Sequence, residues 1–167
     1  DVQNWQVSDN GGSTWSDIVN TNTTYTSGNL NTPGTYWYRA VVRSGECSTE
    51  NSDYAVIIVN PASVGGSING GNSPICFGDG TGTMTLSGHT GDIVRWQKRL
   101  DGGSWSNIVN TTTTYSETPS SAGTWDYRAE IKSGVCPSVY SSTITIVVDP
   151  LPTPVISGSN NVCANVM

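Results

Sequence analysis

Four cysteines, one histidine and two acidic glycine-rich loops are the residues of this 167-residue chain whose types could do chemistry. His89 sits in Gly88–His89–Thr90–Gly91, and no Ser or Cys nucleophile with a positioned acid can be placed around it. It therefore reads as a turn residue rather than a general base, and enzymatic function is not expected. Asp9–Asn10–Gly11–Gly12–Ser13 and Asp101–Gly102–Gly103–Ser104 put oxygen donors on tight loops, as Ca²⁺ requires. Each loop has only one or two such side chains and lacks a closing carboxylate, so hairpin turns are the preferred reading. Asp79 and Asp92 flank neighbouring turns and keep a structural calcium site between modules as the alternative; no other cofactor is expected.

These residues are positioned by an internal repeat. Trp5–Gln6, Asp9, Gly11–Gly12, Trp15–Ser16, Tyr25, Tyr38–Arg39–Ala40 and Cys47 recur in order as Trp96–Gln97, Asp101, Gly102–Gly103, Trp105–Ser106, Tyr115, Tyr127–Arg128–Ala129 and Cys136. Trp5 and Trp96 lie 91 positions apart and Cys47 and Cys136 lie 89 apart, which is one small β-domain. The expected organisation is residues 1–61 as the C-terminal part of one repeat, 62–150 as a complete repeat and 151–167 as the start of a third. Asn60–Pro61 and Asp149–Pro150–Leu151–Pro152 fall at the joints, where proline fixes φ and stiffens the connection. A rod with limited bending is implied.

Charged residues make up only 12% of the chain and the net charge is −6, so nucleic acid would meet net repulsion and is not an expected partner. The apolar residues fall in short alternating runs, and no run approaches the length of a membrane span. In the complete repeat, strands are expected over Pro74–Phe77, Thr83–Ser87, Ile93–Leu100, a short stretch near Ile108, Tyr115, Thr124–Lys132 and Thr143–Val148. Within Thr124–Lys132 the alternation puts Trp125, Tyr127, Ala129 and Ile131 inward. About seven strands, a buried tryptophan in the third and a tyrosine on the penultimate one predict an all-β fold of tandem immunoglobulin-like or fibronectin-III-like sandwiches, each of about 90 residues.

The cysteines have no close Cys or His spacing, which weighs against a metal site or a catalytic thiol. If each repeat carries one internal bridge, Cys76 pairs with Cys136, while Cys47 and Cys163 are half-bridges whose partners lie outside residues 1–167. A bridge closing that loop would contribute roughly 3 to 4.7 kcal/mol.

Surface recognition has two candidate locations. Arg95 and Arg99 are expected on the strand beside Asp126, Arg128, Glu130 and Lys132, either as a salt-bridge ladder or as a contact for anionic glycan. In the first copy Tyr36 and Tyr38 match the inward Trp125 and Tyr127, so Trp37 faces outward beside Arg39, where the second copy has Asp126. Such a pair suits a ligand, an interface or plain exposure.

A cysteine before a Thr-rich strand, Trp-Gln with an Asp-Gly-Gly hairpin and Trp-Ser, then Gly-Thr-aromatic-x-Tyr-Arg and Ser-Gly-x-Cys, together resemble the immunoglobulin-like repeats of giant Bacteroidetes cell-surface proteins. Those include gliding-motility adhesins exported by type IX secretion. The resemblance is fullest over residues 74–148, and it implies an extracellular bacterial surface location, a long filamentous parent and a disulfide within each module. The expected function is a non-enzymatic structural or adhesive segment of a surface adhesin or stalk. Its partners would be neighbouring repeats and surface polysaccharide or other cell-surface proteins, without direct membrane insertion. Two alternatives remain from the residues: a carbohydrate-binding module of a secreted polysaccharide-degrading enzyme, and a self-assembling fibre in which residues 151–167 supply strands to residues 1–61 of another chain.

Overall fold

A computed structural model describes residues 1–158 of the chain. Every regular element among them is a β-strand. The first copy forms one sheet from β1 (Val2–Ser8), β2 (Ser16–Ile18), β3 (Gly34–Val42), β4 (Glu50–Asn51) and β5 (Ala55–Val59). Its order is β2-β1-β3-β4, and β5 also pairs with β3.

The second copy adds β6 (Ser67–Gly70), β7 (Ile75–Cys76), β8 (Met84–Ser87), β9 (Asp92–Leu100), β10 (Ser106–Ile108), β11 (Thr114–Tyr115), β12 (Gly123–Lys132), β13 (Val139–Tyr140) and β14 (Ile144–Asp149). The longer sheet runs β10-β9-β12-β14-β7 with β13 on β12, and the smaller one runs β11-β8-β6. All pairings are antiparallel except β14 with β7, which is parallel. The two sheets close over a core in which Ile68, Met84 and Leu86 from the smaller sheet meet Trp96, Tyr127, Ile131 and Ile146 from the longer. This is an immunoglobulin-like, fibronectin-III-like β-sandwich, and the expected alternation holds: Trp125, Tyr127, Ala129 and Ile131 are all buried.

The copies share their register as well as their sequence. Trp5 lies opposite Ala40 as Trp96 lies opposite Ala129, and Gly34 opposite Val59 as Gly123 opposite Val148. The backbone N–H of Ala40 donates to Ser52 Oγ at 2.9 Å, and Ala129 N–H donates to Ser141 Oγ at the same distance. One expected role differs between copies. Trp96 is fully buried, but Trp5 is only half-buried, because the described residues hold no second sheet over the first copy. Both indoles still donate to a loop carbonyl, Trp5 to Asn22 and Trp96 to Thr112.

The bridge expected between Cys76 and Cys136 is not formed; Cys47, Cys76 and Cys136 are all free thiols. Cys76 lies opposite Asp149, beyond the Gly123 end of β12, whereas Cys136 follows the other end of β12, its N–H bonded to Ser133 O. Ten strand residues separate those ends, about 30 Å. A disulfide tolerates no more than about 7 Å between Cα atoms. Cys163 lies outside the described residues, and residues 151–158 leave the second copy as irregular, mostly exposed backbone.

Candidate functional site

The outer face of the long sheet carries the side chains singled out for recognition. A register shift at Glu130–Ile131 keeps Ile93 and Trp96 both inward, which turns Arg95, Gln97 and Arg99 outward opposite Glu130, Arg128 and Asp126. Arg99 Nε lies 2.9 Å from Asp126 Oδ2. Arg95 Nε is 2.9 Å from Glu130 Oε2, close enough for an ion pair, but its N–H is not aligned for a hydrogen bond. Asp126 also accepts from Thr145 Oγ1 at 2.6 Å. Both acids on this face are therefore neutralised across the strands.

Arg128 is held differently. Its guanidinium lies 4.0 Å from the Trp105 ring centre and 3.6 Å from that of Tyr140, while Nε donates to Gln97 Oε1 at 2.9 Å. Gln97 in turn donates to Asn107. The first copy repeats this arrangement with Arg39 over Trp15 at 3.9 Å, Arg39 Nε on Gln6 Oε1 at 2.8 Å and Gln6 on Asp17. A stacked, hydrogen-bonded guanidinium is a rigid plug that covers apolar area, so the two arginines serve the sandwich itself.

The copies diverge one step along the same face. Where the second has Asp126, the first has Trp37, whose ring stacks on Tyr54 at 4.2 Å and 11°. Its other neighbour is Gly12, where an added Cβ would sit 3.4 Å from both the Trp15 and Trp37 rings. Trp37 does face outward beside Arg39, but it is half-buried rather than free, because Tyr54 and Gly12 bracket it. Tyr54 and Val56 beside it are exposed, so the patch presents aromatic and aliphatic surface to solvent.

The acidic loops are turns. Asp101 takes a left-handed φ of 47°, and its Oδ1 accepts the Thr124 N–H at 2.8 Å, tying the β9–β10 turn to the start of β12. Asn10 Oδ1 accepts from Ser8 Oγ and from the Thr14 N–H. The Asn10 acceptor is thus engaged within its own loop and the Asp101 acceptor by β12.

One cluster escaped the sequence. Lys98 follows Trp96 by two residues and so shares its inward face, where Lys98 Nζ lies 2.6 Å from Glu117 Oε2. Tyr115 OH and Tyr127 OH each donate to the same carboxylate at 2.7 Å. Burial alone would push Glu117 up, but the hydrogen bonds from Lys98, Tyr115 and Tyr127 outweigh it and hold the carboxyl below the usual glutamate range. Burial, and then the bond to Glu117, push both tyrosines up. The inward parity of Lys98 was the available signal.

The model of a domain family of unknown function, DUF8696, matches residues 2–61 and again residues 64–150. No curated protein matches the chain. Among solved structures, the FN1–FN3 domains of chicken CNTN1 align over 90% of this chain at 16% identity and a TM-score of 0.36. This chain spans 57% of the length of that one. With two matched stretches covering most of its length, the chain belongs to the DUF8696 family.

Proposed function

We propose that the chain is a segment of a longer run of β-sandwich repeats, a non-enzymatic spacer and adhesive surface of an extracellular bacterial protein. The protein would be of the giant Bacteroidetes adhesin type that its sequence resembles. The observation that carries this reading is the joint between the copies. Asn60–Ser63 is seated against the Ser133–Cys136 turn, with Ser133 N–H donating to Ser63 Oγ at 2.9 Å. A joint packed on the body of the next repeat transmits direction from one copy to the next, as a stalk needs. In this reading the shared Trp–Arg–Gln plugs hold each sandwich together. The variable Trp37–Tyr54 surface makes weak contacts with polysaccharide or another surface protein, and repetition makes such contacts useful.

Small-angle scattering on chains carrying two, three and four copies tests the spacer. The maximum dimension should grow by about 30–35 Å per added copy, the length of a ten-residue strand. Growth that stalls after the second copy would refute it.

A further inference from the structure

We propose that the cysteines join successive copies of the repeat rather than the two ends of one copy: the thiol at the Cys76 position bonds to the thiol at the Cys136 position of the next copy along the chain. This rests on the reading of the chain as part of a longer run of repeats.

The strand register carries the argument. Val59 pairs with Gly34 as Val148 pairs with Gly123, so Asn60 holds in the first copy the place that Asp149 holds in the second. Asp149 is the parallel partner of Cys76, and its carbonyl accepts the Phe77 N–H at 2.9 Å. A cysteine at the Cys76 position of the first copy therefore lies opposite Asn60, with its side chain on the same face.

That face is where the turn of the following copy sits. Cys136 Sγ is 3.4 Å from Pro61 O and 3.9 Å from Asn60 O. Gly134, at φ +49°, approaches so closely that a Cβ there would overlap the Asn60 side chain. Paired strands lie about 4.8 Å apart, so the Cys76 position sits one strand spacing from Asn60, whose carbonyl Cys136 Sγ already approaches, and a disulfide, which spans about 4.4–6.8 Å between Cα atoms, is the bond proposed to close that gap.

The same correspondence directs Cys76 to the Cys136 position of a following copy, and Cys47 to the Cys76 position of a preceding one. Every described thiol gains a partner, and none of those partners lies within residues 1–158, in keeping with the three free thiols. Forming each bond removes two protons and two electrons from two thiols. The oxidant is a disulfide, small-molecule or borne by a thiol–disulfide oxidoreductase, which accepts both electrons. One thiolate attacks it, the partner thiolate resolves the mixed disulfide, and the oxidant leaves as two thiols. The product ties each joint twice, through the peptide chain and through the bridge.

The test uses the chain with a further copy of residues 62–150 inserted after Pro150. The added copy carries Cys76→Ser, so that only one Cys76 remains, and Val135→Ile as a mass marker at an 87% exposed side chain. After oxidation with glutathione disulfide, alkylation and digestion without reduction, Cys76 should be found linked to the marked Cys136 peptide. Linkage to the unmarked Cys136 would overturn the proposal in favour of a bridge within one copy, and a free Cys76 would overturn it outright. Scattering reads the length of the array and mapping reads its bonds, so either proposal can fail while the other stands.

Discussion

Lys98 Nζ and Glu117 Oε2 meet at 2.6 Å on the inner side of the long sheet, with the hydroxyls of Tyr115 and Tyr127 on the same carboxylate. An ion pair in that position stabilises the fold only while the carboxylate is charged. Because Glu117 titrates below its ordinary range, its contribution is complete above the usual glutamate pKa and is lost as pH falls through the lowered value. The tyrosines give the opposite limb. Their raised pKa values mean that stability is complete below about 10 and falls as pH rises beyond it.

Replacing Glu117 by Gln removes the charge that compensates Lys98 and weakens both tyrosine bonds. The expected loss is about 2–3 kcal/mol at neutral pH, seen as a lower urea midpoint. As pH falls below about 4.5, the ordinary glutamate value, the variant should lose less stability than the parent, since the titrating group is gone. Parallel acid limbs in the two proteins would show that Glu117 does not govern acid unfolding.

Arg128→Ala removes a guanidinium held between Trp105 and Tyr140 and leaves Gln97 Oε1 without its donor. The expected cost is about 1–2 kcal/mol by urea titration. Arg128→Lys should recover less than half of it, because an ammonium neither stacks as a plane nor donates from the Nε position. Full recovery by Lys would reduce the role of Arg128 to charge alone.

The fold class was legible because the alternation around Trp125–Ile131 has period two and every inward position is large and apolar or alanine. Two strands were not. Ser67–Gly70 has one apolar residue, Ile68, and Val139–Tyr140 is too short to show a period. The cysteines were misassigned because sequence separation says nothing about which end of a sheet a residue reaches; the strand register decides that. Trp37 was placed on the correct face but not against Tyr54, which lies 17 positions on and is brought beside it by the turn into β5.

Gly91→Ala tests how tightly the β8–β9 connection is built. Gly91 has φ +113°, and a Cβ there would come within 2.6 Å of Lys132 C and 2.7 Å of Lys132 O. Gly78 has a similar φ of +103° but nothing within 4 Å of the same position. Alanine at Gly78 should cost about 1–2 kcal/mol from backbone strain alone. At Gly91 the overlap with backbone that cannot swing away should raise the cost by a further 1–3 kcal/mol, roughly the range for overpacking. Equal melting of the two variants would mean that β12 yields at Lys132.

The two copies place equivalent residues in unequal surroundings, which predicts unequal stability within one chain. Ile57 and Ile146 pair with Tyr36 and Trp125 at matching registers, yet Ile57 is 38% exposed and Ile146 is 1% exposed. Trp5 and Trp96 differ in the same direction. Each uncovered aliphatic side chain forgoes on the order of 1 kcal/mol of burial, and the deficit accumulates over the face. Hydrogen exchange followed by mass spectrometry should therefore show β3 amides exchanging well before those of β12, although the two strands share Gly-Thr, Tyr-Arg-Ala and their pairing. Equal protection of β3 and β12 in the 167-residue chain would mean that the first sheet is already covered, and would overturn the prediction.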